Sequence, residues 1–154
     1  MAEKGISLVR IDPRLLHATV QLYWTQFIDV KQIWIINQEY ASDPFISSVL
    51  QLCLPKSIQI KIYRPEELVE LTSKIIKEGV MVIFSDILTA KNTIALGFSV
   101  NEIQLPYPAS KGLLKGLDNY FKDEELSALS IIQEKGVKLY FQTSPYDKKT
   151  YFTV

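Results

Sequence analysis

The sequence predicts an α/β fold: an open, mainly parallel β-sheet with helices on both faces, formed as a single domain over residues 1–154. Short β-branched or aliphatic runs carry the prediction. They recur as ISLV (6–9), QIWII (32–36), IQIKIY (58–63), VMVIF (80–84), EIQL (102–105) and VKLYFQ (137–142). Between most of them lie segments long enough to be helices, and strands alternating with helices imply βαβ units. The 154 residues, 47% of them hydrophobic, are enough for a proper core. No internal repeat, low-complexity tract or Ser/Gly-rich linker marks a place to divide the chain.

The connecting segments carry their own start and stop signals. A first helix is expected over 19–28. Ser42 or Asp43 caps a second over 44–52, with Pro44 at its first position and Pro55 beyond its end. Pro65, Glu66 and Glu67 open a third, which Gly79 closes after Lys77. Its Leu68, Leu71, Ile75 and Ile76 fall on one apolar face, which reads as core. Thr89 is expected to cap 90–97 before Gly97, and Asp123 to cap 124–135 before Gly136. The tail SPYDKKTYFTV turns from polar to apolar, so it reads as a last edge strand or a partner contact.

Composition excludes several function classes. The 17 basic and 17 acidic side chains cancel, so no broad field favours nucleic acid or an anionic membrane, and any anion chemistry must be local. Cysteine occurs once, at Cys53 in VLQLCLP, which rules out an internal disulfide and reads as a small buried apolar residue in a reducing compartment. No run reaches the ~20 apolar residues that span a bilayer. The start, MAEKGISLVR, lacks the layout of a signal peptide, so a soluble, cytoplasmic protein is expected. One His and one Cys are too few soft ligands for structural zinc, and no DxDxDG loop offers calcium a place. Neither a metal nor a diffusible cofactor is expected.

Chemistry concentrates in LVRIDPRLLHATV, residues 8–20, where the chain leaves the first strand for the first helix. In an open parallel sheet, ligands bind outside the carboxyl ends of strands. Pro13 stiffens this loop, because it fixes its own φ and pushes Asp12 toward an extended conformation. A neutral imidazole nitrogen of His17, the chain's single histidine, can attack phosphorus without a separate base. The guanidiniums of Arg10 and Arg14 suit phosphoryl oxygens, and Asp12 can hold the other ring nitrogen. If Ala18 or Thr19 opens the helix, its unpaired N–H groups face the same anion. The blander alternative is a polar loop histidine beside an Arg10–Asp12 pair that only satisfies strand ends.

At these residues, RIDPRLLHATVQLYW resembles the segment RIDxRLxHGQV, followed soon by Trp, of the IIB components of the mannose, fructose and sorbose family of the bacterial sugar phosphotransferase system. Arg10, Ile11, Asp12, Arg14, Leu15, His17, Val20 and Trp24 all match, and QIWIINQEYASDPF matches in style. The resemblance implies a phosphoryl group carried on His17, received from a phosphorylated IIA protein and passed to a sugar held by membrane IIC and IID components. It also implies that Arg10, Asp12 and Arg14 are the surrounding anion-binding and orienting groups, and that the protein associates peripherally with its membrane partners. Two departures stand out. Ala18-Thr19 replaces the family's Gly-Gln, and QLPYPASKG replaces a loop with a glycine pair. Pro106 and Pro108 have no N–H to offer an anion. Ser110 and Lys111 are candidate replacement donors, although Lys111 reads equally as a solvated lysine.

Ser85 and Asp86, at the end of the fourth strand, line the pocket, or else Asp86 or Thr89 only caps the next helix, and the cap is the favoured reading. Asn37 and Gln38 are similarly placed. Trp24 reads as buried under the first helix rather than as an interface anchor, and Tyr107 as a loop residue open to a partner or sugar. Three functional readings compete. The first is a sugar-system phosphocarrier; the second is a IIB-like regulatory or inactive relative that binds partners without transfer. The third, a general-base enzyme, ranks last, because no serine or cysteine nucleophile lies within sequence reach of His17. Mannose, fructose, sorbose and amino sugars all fit, and a homodimer would be ordinary.

Overall fold

A run such as VMVIF has no polar face to offer solvent, so it is stable as a strand only where both faces are covered. In a computed structural model, which describes residues 5–16, 20–74, 76, 79–107 and 116–154 (backbone alone at 21 and 22), seven strands form one sheet. They are β1 (Ile6–Ile11), β2 (Gln32–Ile36), β3 (Gln59–Tyr63), β4 (Val80–Phe84), β5 (Glu102–Leu105), β6 (Lys138–Phe141) and β7 (Thr150–Phe152). Their spatial order is β3-β2-β4-β1-β5-β6-β7. The first six are parallel, and β7 lies antiparallel to β6 at the edge, one of the two readings of the tail.

Alternation within the central strands feeds two cores. Ile33, Ile35, Met81 and Ile83 pack on one face with Leu16, Val20 and Trp24, where a π-helical turn (Val20–Trp24) runs into α1 (Thr25–Phe27). The same face carries α2 (Pro44–Gln51). Trp34, Ile36, Val80, Val82 and Phe84 pack on the other face. That face carries α3 (Pro65–Thr72), α4 (Ile87–Ala95) and α5 (Asp123–Glu134). Each such aliphatic or aromatic side chain contributes about 1.5–3 kcal/mol on burial. Among the described residues no helix is long and apolar enough to cross a membrane.

Helix boundaries shift where a side chain competes for the end. Asp43 caps α2, its Oδ1 accepting from the N–H groups of Phe45 and Ile46 at 3.0 and 3.4 Å. α3 stops at Thr72, short of the expected 77, where the hydroxyls of Thr72 and Ser73 turn back onto the carbonyls of Leu68 and Glu70. Ile75 and Lys77, counted in that helix from the sequence, lie outside the described residues. α4 starts three residues before the expected 90, because Asp86 rather than Thr89 is its cap. Asp123 is the first residue of α5 and not its cap; Glu125 instead accepts from the Lys122 N–H at 2.9 Å. Cys53 is exposed, which corrects its reading as buried. The run VLQLCLP straddles the end of α2; Phe45, Val49 and Leu52 are also exposed, while Leu54 is buried.

The topology places a crevice. From β1 through β2 to β3 the chain steps one way along the sheet with its helices on one face. From β3 through β6 it steps back with helices on the other. β1 and β5 are neighbours, with Arg10 opposite Gln104, yet the chains leaving them part to opposite sides. Their carboxyl ends form the switch point at which open α/β sheets bind ligands.

Candidate functional site

The loop that leaves β1 at this switch point is held by its own polar groups. The Asp12 N–H donates to the Phe84 carbonyl at 3.0 Å, which carries the strand one residue past Ile11. The chain then turns at Pro13, and the Leu15 N–H returns to the Asp12 carbonyl at 3.0 Å. Leu15 has φ 56°, the one positive φ among the described non-glycine residues. A leucine in that region costs roughly 1–2 kcal/mol, which the surrounding bonds must offset.

Asp12 is completely buried and is the centre of the loop. Its Oδ1 accepts from the backbone N–H and Nε of Arg14, both at 3.0 Å. Its Oδ2 accepts from Arg10 Nη2 at 3.0 Å and Nε at 3.3 Å, and from Arg14 Nη2 at 3.3 Å. A carboxylate has about four lone-pair sites, so these five donors saturate it. Burial alone would raise its pKa, but the Arg14 hydrogen bonds and the Arg10 charge outweigh that and hold it below the ordinary carboxylate value.

The two arginines differ. Arg10 is also completely buried, and its Nη1 donates to Gln104 Oε1 at 2.7 Å and to the Thr143 carbonyl at 3.0 Å. Burial lowers its pKa, against the opposing pull of Asp12. Arg10 therefore has no surface open to solvent and is committed to these buried partners, in contrast to Arg14. The Arg14 side chain is 47% exposed. Two cations and one anion leave one unit of positive charge, and its accessible end is the Arg14 guanidinium.

Sequence reasoning missed the groups behind Arg10. Gln104 Nε2 donates to Gln142 Oε1 at 3.1 Å, and Gln142 Nε2 to the Asp147 carbonyl at 3.0 Å. Asp147 Oδ2 accepts from the N–H groups of Thr143 and Ser144 at 3.1 and 2.8 Å. Trp24, buried as expected, donates Nε1–H to the Thr143 carbonyl at 2.8 Å. The available signal was a glutamine among the apolar residues of EIQL and another directly after the apolar LYF of β6.

The other described candidates are hydrogen-bonded to one another or to the helix they precede. Asn37 Nδ2 donates to Ser85 Oγ at 2.9 Å, and Ser85 Oγ to Asp86 Oδ2 at 3.2 Å. Asp86 Oδ1 accepts from the Thr89 N–H at 2.7 Å, so the cap reading holds for Asp86. Tyr107 is half-buried: its ring stacks on Phe141, its hydroxyl donates to the Lys148 carbonyl at 2.7 Å, and its N–H is taken by Thr143 Oγ1 at 2.7 Å. His17, Ala18, Thr19, Pro108, Ser110 and Lys111 lie outside the described residues. The described neighbours of His17, Leu16 and Val20, are both buried. Among the described residues no cluster of three or more His, Cys, Asp or Glu side chains is arranged to hold a metal.

Comparison with known proteins places this geometry. The family model for the sorbose subfamily IIB component of the PTS system matches residues 6–153. The N-acetylgalactosamine-specific phosphotransferase enzyme IIB component 1 of Escherichia coli K12 is 22% identical over 153 residues, 97% of each chain. Component 2 of the same organism is 28% identical over 66 residues, 43% of this chain and 42% of that one. The mannose-specific EIIAB component of E. coli K12 is 21% identical over 94% of this chain, which spans 46% of its length. Two solved structures share the fold: the IIBSor domain of the sorbose permease from Klebsiella pneumoniae and the E. coli N-acetylgalactosamine-specific IIB component 1. The first has TM-score 0.78, 21% identity, and coverage of 95% of this chain and 92% of that one. The second has TM-score 0.80, 22% identity, and coverage of 96% and 99%. With a family model that takes in nearly the whole chain and these structures on the same fold, the chain belongs to the sorbose subfamily of phosphotransferase-system IIB components.

Proposed function

We propose that this protein is a phosphoryl carrier, which takes a phosphoryl group onto His17 from a phosphorylated IIA protein and gives it to a sugar entering through membrane IIC and IID components. The observation that carries the reading is the saturated Asp12 clamp, which holds Arg14 half-exposed at the switch point. His17 follows Arg14 by three positions in the sequence. In the step itself a ring-nitrogen lone pair forms the N–P bond while the donor's bond to phosphorus breaks and its electron pair returns to the donor. The proton on the second ring nitrogen stays in place, and the Arg14 guanidinium offsets charge that spreads over the phosphoryl oxygens. In transfer to a sugar hydroxyl the O–P bond forms as the N–P bond breaks, the electron pair of the broken bond returns to the ring nitrogen, and the hydroxyl proton passes to water. In this reading Asp12 acts through the two arginines, Ala18 and Thr19 follow the acceptor in the sequence, and Ser110 and Lys111 are the candidate donors in place of the family's glycine pair. The protein works in the cytoplasm, peripheral to its membrane partners.

One observation favours the reading without turnover. Of Pro106, Tyr107 and Pro108 only Tyr107 has a backbone N–H, and Thr143 Oγ1 accepts it. That stretch offers an anion no donor, as suits a IIB-like relative that binds partners without transfer. Intact-mass spectrometry separates the two. The protein is incubated with phosphoenolpyruvate, the general phosphotransferase proteins and a cognate IIA, and kept alkaline because phosphohistidine is acid-labile. Gain of one phosphoryl group that maps to His17, and is absent from His17→Ala, supports the carrier; no gain while IIA is itself phosphorylated supports the non-transferring relative.

A further inference from the structure

The buried amides behind Arg10 have a fixed direction. A guanidinium only donates, so Gln104 must present its oxygen to Arg10 and its NH2 to Gln142. Gln142 is oriented in turn, oxygen toward Gln104 and NH2 toward the Asp147 carbonyl, which only accepts. Gln104 is 0% and Gln142 7% exposed, so water has little access with which to replace either bond. The chain starts at a group that only donates and ends at one that only accepts; reversing any amide within it sets two like atoms face to face.

Its far end is the loop between β6 and β7. There the Asp147 carboxylate gathers the N–H groups of Thr143 and Ser144, while the Asp147 N–H returns to the Ser144 carbonyl at 3.1 Å. This turn sets the direction of the Thr143 carbonyl, whose one oxygen receives both Arg10 Nη1 and Trp24 Nε1. Arg10 and Trp24 stand equally far before and after His17 in the chain. Both flanks of the His17 segment are therefore tied to a single oxygen on a loop remote in sequence.

We infer that Gln104, Gln142 and Asp147 are positioning residues of the phosphoryl site, which hold Arg10, and through Asp12 the exposed Arg14, in the geometry that transfer requires. The inference rests on the phosphocarrier reading and adds to it a part of the molecule outside the His17 loop. Displacing a reacting or charge-stabilising group by about 1 Å can cost up to a hundredfold in rate, and loss of a group that orients a site residue costs about ten- to a hundredfold.

The test uses the full chain with phosphorylated IIA as donor, in single-turnover uptake over a range of donor concentrations. The indole Nε1–H resonance of Trp24, distinguished from that of Trp34 by Trp34→Phe, is followed in parallel. Gln104→Leu and Asp147→Ala should each lower the maximal rate about tenfold, leave the half-saturating donor concentration within about twofold, and move the Trp24 resonance. Asp147→Asn keeps an oxygen that can accept the same two N–H groups and should restore both readouts. If Gln104→Leu does not fold, the Asp147 pair on the surface loop carries the test. A moved resonance with an unchanged rate assigns the chain a purely structural role and overturns the inference, as does an Asp147→Asn variant as slow as Asp147→Ala. A wild type that takes up no phosphoryl group brings down the carrier reading and this inference together; a wild type that does, with variants unchanged, brings down the inference alone.

Discussion

Arg10 and Trp24 donate to the same atom, the Thr143 carbonyl oxygen, at 3.0 and 2.8 Å. One comes from the strand that leads into the His17 loop, the other from the π-helical turn that leaves it. π-Helical turns are rare and recur at functional sites. Here the turn places the indole where a remote loop can hold it. Replacing Trp24 by Phe removes one of the oxygen's two donors and leaves Arg10 in place. We expect a loss of about 1–2 kcal/mol, the low end for a buried hydrogen bond plus some vacated volume, read from the urea unfolding midpoint.

Asp12 makes stability depend on pH in a defined direction. Its carboxyl is depressed in the folded protein below the ordinary value of 3.8. The unfolded chain therefore binds the proton first, so the stabilisation is complete above the ordinary value and is lost as pH falls through the folded one. Asp12→Asn leaves Arg10 buried without its counter-charge, which costs about 3–5 kcal/mol at neutral pH. The gap between wild type and Asp12→Asn, measured by urea unfolding, should be flat from about pH 5 upward and narrow below about pH 4. A gap that widened on acidification would refute the clamp.

The two arginines should separate stability from transfer. Arg14→Ala removes a side chain that is 47% exposed but also takes two donors from the buried Asp12, so its cost in stability should be about 1–3 kcal/mol, below that of Arg10→Ala. Its phosphoryl uptake should fall at least tenfold, and Arg14→Lys should recover little, because an ammonium cannot reproduce the fork that grips Asp12 while facing an anion. Arg10→Ala should do the reverse in emphasis, with a loss of about 3–5 kcal/mol, because Asp12 is then buried beside one partner fewer. Urea unfolding and mass-detected uptake on the same preparations read both.

Much of this was legible in the sequence where the cause is local. The central strands β2 and β4 are visible as apolar runs because burial on both faces removes any need for alternation, and the Asp43 and Asp86 caps are visible because an N-cap reaches only to the next turn. Arg10, Asp12 and Arg14 are adjacent in the chain, so their clamp could be anticipated, though not which arginine would be sealed inside. The Gln104–Gln142–Asp147 chain could not. Its links to the site join residues 94 and 133 apart, and which glutamine faces which is decided by β5–β6 register. Cys53 was misread because an apolar run at a helix end looks the same whether it faces the core or, as on α2, solvent.

Asp86 separates a cap from a pocket acid by what its replacement must retain. A cap needs an oxygen that accepts the Thr89 N–H, and charge adds only the weaker interaction with the helix dipole. Asp86→Ala should therefore cost about 1 kcal/mol, and Asp86→Asn a few tenths, by urea unfolding. The Ser85 hydroxyl, which donates to Asp86 Oδ2 and accepts from Asn37 Nδ2, should matter less, because its removal leaves the Thr89 bond intact. Equal losses for Ala and Asn at position 86 would mean that the charge itself is required, and would return Asp86 to the candidates for the site.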